Sequence, residues 1–309
     1  MTDHIFIVNP AAGKADRTEF ISKAAQAASA DGNVTVYATK APGDATTYVE
    51  SVLANATRPV RIYACGGDGT VHEVVQGIYN AKNPNVSFGV IPTGSGNDFI
   101  RSFQIPESSF RSIRAMMRGG TVPCDLMRVT DDSQTERICI NVASAGFDAA
   151  VCRRMQSFRR VPLMGGSVAY NAALVRQFLG HLGHRFTIIA DGEEIRTPNK
   201  DEYLFALLAN GSHYGGGYRC SPQSELNDGL LNMILIEAIP RSQFAGLLGP
   251  YRKGEYFEKL GDRMLHKRVR SMQFLSDETI DMNLDGEIIA LQNPRLSVLP
   301  SAINLILPE

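Results

Sequence analysis

The sequence predicts a two-domain α/β protein, with a doubly wound parallel α/β domain followed by a largely antiparallel one. Three observations lead there. The chain has 309 residues, past the roughly 250–300 at which a single core stops growing. Its first hundred residues alternate short β-branched apolar runs with helix-length segments, the pattern of parallel strands and crossover helices. After about Pro123 that alternation gives way to closely spaced strand-like runs joined by glycine-containing turns.

In order, the runs at 5–8, 34–37, 60–64 and 88–91 read as buried parallel strands, each apolar and closed by Gly, Pro or Asn. Between them, 17–30, 44–55 and 70–80 read as helices. In the last, Val71, Val74, Val75 and Ile78 fall at i, i+3, i+4 and i+7 and make one buried face. Beyond Pro123, strands are expected at 139–144, 185–189, 203–209, 230–236, 270–275 and 279–284, with helices at 147–158 and 167–180. The runs at 295–299 and 302–307 could complete either sheet. A division into 1–124 and 125–294 follows, with 295–309 available to the first domain.

Composition narrows the function classes. With 31 Lys plus Arg against 32 Asp plus Glu, the formal net charge is −1, so no nucleic-acid partner is expected. Five scattered cysteines without a CxxC pair argue against a zinc site or a disulfide frame. Residues 1–4 lack a basic leader and no run approaches 18 apolar residues, so a cytoplasmic location is expected.

Three loops carry the chemistry. They are Asn9-Pro10-Ala11-Ala12-Gly13-Lys14, Gly66-Gly67-Asp68-Gly69-Thr70 and Pro92-Thr93-Gly94-Ser95-Gly96-Asn97-Asp98. Each follows a predicted strand, which in an open α/β sheet puts all three on the carboxyl edge, where ligands bind. Paired glycines let backbone N–H groups approach an anion, and a helix N-terminus adds favourable partial charge, so phosphate suits this edge. Any one loop alone reads as a plain strand-to-helix turn, and it is three of them on corresponding edges that favour a ligand site. Residues 94–99 fail the GxGxxG fingerprint, and Gly13-Lys14-Ala15 lacks the hydroxyl of a Walker A loop. No histidine pairs with Ser or Cys in a triad motif, and His72 reads as an exposed or capping residue rather than a base.

The ordered set of loops, with GGDGTVHEVVQG at 66–77 and PTGSGNDF at 92–99, resembles the diacylglycerol kinase catalytic-domain family, which includes bacterial soluble diacylglycerol kinases, sphingosine kinases and ceramide kinases. The resemblance continues through Gly215-Gly216-Gly217, Asn227-Asp228-Gly229-Leu230 and Asp285-Gly286-Glu287. It implies an N-terminal nucleotide-binding domain, a C-terminal antiparallel β-sandwich, an active site in the interdomain cleft, and transfer of the γ-phosphoryl group of ATP to a lipid hydroxyl with Mg²⁺. By position, Asn9 and Thr39 would flank adenosine, with Pro10, Gly13 and Lys14 in the same loop. Gly66, Gly67, Asp68, Gly69 and Thr70 would wrap the phosphates, Gly94, Ser95 and Asn97 would add contacts, and Glu73 would brace the loop. Asp228, Asp125 and Asp285 would hold Mg²⁺.

Phosphoryl transfer needs a carboxylate within reach of the attacking hydroxyl. Asp68 and Glu287 are the candidates. The resemblance of Asp285-Gly286-Glu287 to the family's DGE signature implies Glu287 as the base, with Asp68 beside the phosphates and metal. Taken alone, Asp285-Gly286 reads as a type I′ hairpin turn, and the upstream loops are what favour the site reading. Diacylglycerol is the expected acceptor, ahead of a sphingoid base, ceramide or another lipid. An NAD kinase-like enzyme would share GGDGT, but the chain contains no Asn-Glu dipeptide. A non-catalytic nucleotide- or lipid-binding regulator is disfavoured by the retained acidic residues. Arg153-Arg154, Arg159-Arg160 and the cationic run 263–270 are either solvated faces or surfaces that dock on anionic lipid. Peripheral contact with the inner face of the membrane is expected, and a homodimer stays open.

Overall fold

The computed structural model describes residues 2–29, 33–158, 176–178, 180, 182–198 and 202–309. Strands β1 (Asp3–Val8), β2 (Val34–Ala38), β3 (Val60–Gly66) and β4 (Val86–Pro92) run parallel in the order β2-β1-β3-β4. Helices α1 (Thr18–Ala28), α2 (Asp44–Ala54) and α3 (Asp68–Ala81) connect them, in agreement with the pattern of apolar runs. The order reverses between β1 and β3. The loops leaving those two strands therefore open onto the crevice at the switch point.

After α4 (Glu107–Phe110) and α5 (Ile113–Arg118) comes β5 (Thr121–Thr130), absent from the sequence reading because Pro123 and Asp125 interrupt its apolar pattern. Pro123 is tolerated there. It lies opposite Asn304 of the last strand, whereas the other neighbour, β6 (Arg137–Cys139), engages β5 only at Met127, Arg128 and Val129, so no ladder bond is lost on that side.

Strand β7 (Val142–Gly146) begins the second sheet. One strand was expected over 139–144; two are present. The N–H groups of Ile140, Asn141 and Val142 turn instead to the carboxylate of Asp285, at 2.9, 2.9 and 3.2 Å. After α6 (Phe147–Phe158), β8 (His184–Arg185), β9 (Thr187–Ala190), β10 (Glu193–Ile195), β11 (Glu202–Ala209) and β12 (Leu231–Glu237) follow. Next come α7 (Arg241–Lys253), β13 (Met264–Val269), β14 (Ser271–Leu275), β15 (Ile280–Leu284), β16 (Glu287–Leu291) and β17 (Arg295–Ile306).

The two runs near the C-terminus form the single strand β17, with an irregularity between Leu299 and Ile303. It pairs with β5 along its length, with β4 in parallel and with β14 antiparallel, so one ten-stranded sheet runs on through β9 and β10. The antiparallel sheet β13-β12-β11-β7-β15-β16 faces the distal half of that sheet. Met127, Phe274 and Leu296 from one sheet meet Ala145, Leu208, Met233 and Met282 from the other in the sandwich core. A division at residue 124 falls within β5, whose Cys124 and Leu126 join the first core while Met127 and Val129 join the second.

Helices α6 and α7 cover the outer face of the antiparallel sheet. Gly246, Gly249 and Pro250 conceal α7 from propensity reasoning, yet Phe244, Leu247 and Tyr251 are buried at i, i+3 and i+7, and that burial prevails. Most of the expected helix at 167–180, together with Arg159 and Arg160, lies outside the described residues. Among the described residues no helix is long and apolar enough to cross a membrane.

Candidate active site

The three glycine loops meet at one cleft of about 1020 Å³, whose other wall comes from the sandwich half. They are tied to one another by short bonds. Asn9 donates its N–H to Cys65 O at 3.0 Å and its Nδ2 to Thr70 Oγ1 at 3.2 Å. Thr93 and Gly94 both donate to Gly66 O, at 3.0 and 3.1 Å. The glycines serve this packing as well as any approach to an anion. A Cβ on Gly94 would stand 2.5 Å from Gly67 Cα, and one on Gly13, at φ +79°, 2.3 Å from Thr93 O. Gly94→Ala is therefore expected to cost about 1–3 kcal/mol through forced backbone movement. Urea unfolding should show a lower midpoint at unchanged slope, and a wild-type midpoint would refute the packing argument.

Asn9, Pro10, Gly13, Thr39, Gly67, Asp68, Gly69, Thr70, Glu73, Gly94 and Ser95 line the cleft, as do Asp285 and Glu287. Three expected contacts do not. Lys14 is exposed and outside the lining. Gly66 lies beneath the lining as the acceptor for loop three. Asn97, at φ 53°, donates Nδ2 to Gly94 O at 2.9 Å and so shapes its own loop. Glu73 accepts from Gly43 N at 2.9 Å and Ala45 N at 3.2 Å. It braces the start of α2 and the Thr39 loop, rather than the glycine loop beside it.

Asp68 opens α3, and its Oδ1 accepts from Asp98 N at 2.8 Å and Phe99 N at 3.3 Å. Burial, followed by the charge of Asp98, pushes its pKa up to about 6. Asp98 was not singled out from the sequence, although it stands beside the glycines of the third loop. It is 4 % exposed. Its Oδ2 accepts from Gly216 N at 2.6 Å, while its buried Oδ1 receives no hydrogen bond and faces Arg101 Nε at 3.5 Å. Burial raises its pKa too. The bond to Gly216 is what joins the Gly215-Gly216-Gly217 segment to the α/β half.

The hairpin between β15 and β16 supplies the opposite wall. Asp285 and Gly286 have φ of 52° and 100°, as a type I′ turn requires. The turn and site readings are thus compatible, since the turn sends Asp285 inward and leaves Glu287 on the cleft. Besides the three backbone N–H groups, Asp285 receives Cys139 Sγ at 2.9 Å and His72 Nδ1 at 3.0 Å. Burial would raise its pKa, but His72 and the other donors hold it below the usual carboxylate range.

His72 is buried, not exposed: its partner Asp285 lies 213 positions away, and its Nε2 is 3.9 Å from Glu287 Oε2. Burial lowers the His72 pKa, yet the bond and charge of Asp285, with Glu287 and Glu73, carry it upward overall.

The three aspartates expected at a structural Mg²⁺ do not converge. Asp125, fully buried, accepts from Gly229 N and Ser301 N, both at 2.7 Å, and so braces the irregularity in β17. Asp228 accepts from Leu230 N at 2.8 Å and pairs with Arg268. Asp285 is occupied by its five donors. No group of three His, Cys, Asp or Glu side chains placed to hold a metal exists among the described residues. These oxygens face N–H, S–H and guanidinium donors, which a cation would have to displace, so they do not fit a structural Mg²⁺. The cleft itself is acidic, lined by Asp68, Glu73, Asp98, Asp285 and Glu287 with Lys40 as its cation. Elsewhere, Arg153 pairs with Asp281, and Arg154 Nε donates to Gln177 Oε1 at 2.7 Å.

Residues 3–129 match the family model of the diacylglycerol kinase catalytic domain, and residues 141–307 that of the YegS C-terminal NAD kinase beta sandwich-like domain. A protein of Yersinia enterocolitica named "Probable lipid kinase YegS-like" is 31% identical over 270 residues, covering 86% of this chain and 84% of its own. The chain belongs to the YegS-like lipid kinase family. A protein of the same name from Chromohalobacter salexigens is 31% identical over 260 residues, 81% of this chain and 76% of that one. A solved structure described as a diacylglycerol kinase from Bacillus anthracis str. Sterne superposes with a TM-score of 0.70 over 98% of this chain and 96% of that chain. At 18% identity it shares the fold. Membership of this lipid kinase family implies ATP as the phosphoryl donor.

Proposed function

We propose that this lipid kinase phosphorylates diacylglycerol to phosphatidic acid at a membrane surface, with Glu287 as the base. One observation carries the reading: a single cleft has three glycine loops of the α/β half on one wall and the Asp285-Gly286-Glu287 hairpin on the other. Adenosine would lie against Asn9 and Thr39, with the phosphates along Gly67, Gly69, Thr70 and Ser95. The acceptor hydroxyl gives its proton to the Glu287 carboxylate as its oxygen bonds to the γ-phosphorus. The bond from that phosphorus to the β,γ-bridging oxygen breaks, and ADP leaves.

An acidic cleft repels a bare triphosphate, which supports entry of ATP together with Mg²⁺. Asp68 and Asp98 are the residues fitted to face that ion, because Asp98 is buried and Asp68 half-buried, both have raised pKa values, and Asp98 Oδ1 lacks a hydrogen bond. The ion would supply neutralisation of phosphate charge.

Diacylglycerol is supported by the description of the matching family model. The test is labelled ATP and Mg²⁺ with mixed micelles of diacylglycerol, sphingosine, ceramide or monoacylglycerol. Label is expected in diacylglycerol and should vanish with EDTA. Label confined to another lipid would replace the acceptor, and label in none would reject all four.

A further inference from the structure

We propose that His72 is a positioning residue, which holds the Glu287 carboxylate toward the cleft by tying it through one imidazole ring to Asp285. The proposal rests on Glu287 being the base. Its ground is geometric. His72 comes from α3 of the α/β half, whereas Asp285 and Glu287 come from the β15–β16 hairpin of the sandwich, so the ring spans the two walls.

The orientation of that ring is determined from behind. Asp285 Oδ2 takes Nδ1 at 3.0 Å, and Asp285 itself is locked by the N–H groups of Ile140, Asn141 and Val142 and by Cys139 Sγ. With Nδ1 committed, Nε2 is left facing Glu287 Oε2 at 3.9 Å. The side chain of His72 is 8% exposed and that of Asp285 2%, against 47% for Glu287, so the chain runs from a buried anchor to a carboxylate at the rim. The charged or titratable groups around the ring are Asp285 and Glu287 from the hairpin, Glu73 from its own helix, and Cys139 through Asp285. Three of these are acids, so a protonated ring is favoured, and its charge attracts the Glu287 carboxylate. One Glu287 oxygen is drawn toward the histidine, leaving the other for the acceptor hydroxyl.

The test compares His72→Asn and Glu287→Gln in the full chain. Asparagine can keep a donor near the Nδ1 position but has nothing to reach Glu287. Turnover with lipid is followed together with KM for ATP. In His72→Asn, kcat should fall about tenfold with KM for ATP within about twofold. An unchanged kcat, with Glu287→Gln inactive, would overturn the positioning role and leave the base in place. An active Glu287→Gln would overturn both. If His72→Asn does not fold, the pKa of the His72 ring, followed by NMR in wild type and Glu287→Gln, decides instead. It should fall when the Glu287 charge is removed, and an unchanged value would overturn the proposal.

Discussion

Glu287→Gln is expected to lower kcat by on the order of 10²-fold or more while KM for ATP stays nearly constant. The glutamine keeps the volume and polarity of the side chain but cannot accept the acceptor's proton. Little structural loss should accompany it, because the Glu287 side chain is 47% exposed and its ion-pair contact is the long one to His72. Its melting temperature should therefore stay close to wild type, in contrast to a variant of Asp285, whose carboxylate holds the break between β6 and β7 together. A Glu287→Gln enzyme with substantial turnover would move the proton acceptor to Asp68.

Asp68→Asn is expected to abolish turnover and, at the same time, to stabilise the ligand-free protein near neutral pH. Asp68 has a folded pKa of about 6 against an ordinary value of 3.8, because burial and the nearby charge of Asp98 oppose its ionisation. An acid raised in this way binds more protons folded than unfolded between those two values. Stability therefore falls as pH rises from about 4 to about 6 and stays lower above that range. The shift corresponds to on the order of 2–3 kcal/mol. Asparagine retains an oxygen for the N–H groups of Asp98 and Phe99 but carries no charge. The variant should accordingly unfold at higher denaturant than wild type at pH 7, with the gap closing below about pH 4. A gap that is the same at both pH values would show that Asp68 is not ionised against a penalty. The activity loss follows from removing a charge at the phosphates, where preorganised electrostatics contribute most. A destabilised carboxylate kept at the centre of a cleft is the usual exchange of stability for function.

Much of this site was legible because its parts are local. Each glycine loop sits between a strand and a helix that periodicity reveals, and the strand ends place it on the carboxyl edge. The Asp285-Gly286 turn was legible in the same way, from a dipeptide that tolerates positive φ. What escaped the sequence reading lies in pairs far apart along the chain. His72 looked like a surface residue because nothing near it in sequence explains a buried imidazole, and its partners are Asp285 and Glu287. Asp98 looked like one more polar residue after a glycine loop until Gly216, 118 positions later, turned out to donate to it. Strand β5 and helix α7 escaped for a related reason. Pro123, Gly246, Gly249 and Pro250 lower local propensity, and tertiary burial overrides them.

The metal reading shows the same limit from the other side. Asp125, Asp228 and Asp285 share a residue type that suits Mg²⁺, yet each carboxylate meets protein donors that the chain brings from elsewhere, Ser301 and Gly229 for the first and Arg268 for the second. By itself the sequence determined the doubly wound α/β character of the first half, the antiparallel character of the second and the edge on which the loops lie, because these follow from short-range spacing of apolar side chains, glycines and prolines. Only the tertiary structure decided which acids face the cleft and which are structural brackets. A carboxylate's role depends on the donors and charges within a few ångströms, and in this fold many of those come from residues well separated in sequence, 30 positions away for Asp68 and Asp98 and 213 for Asp285 and His72.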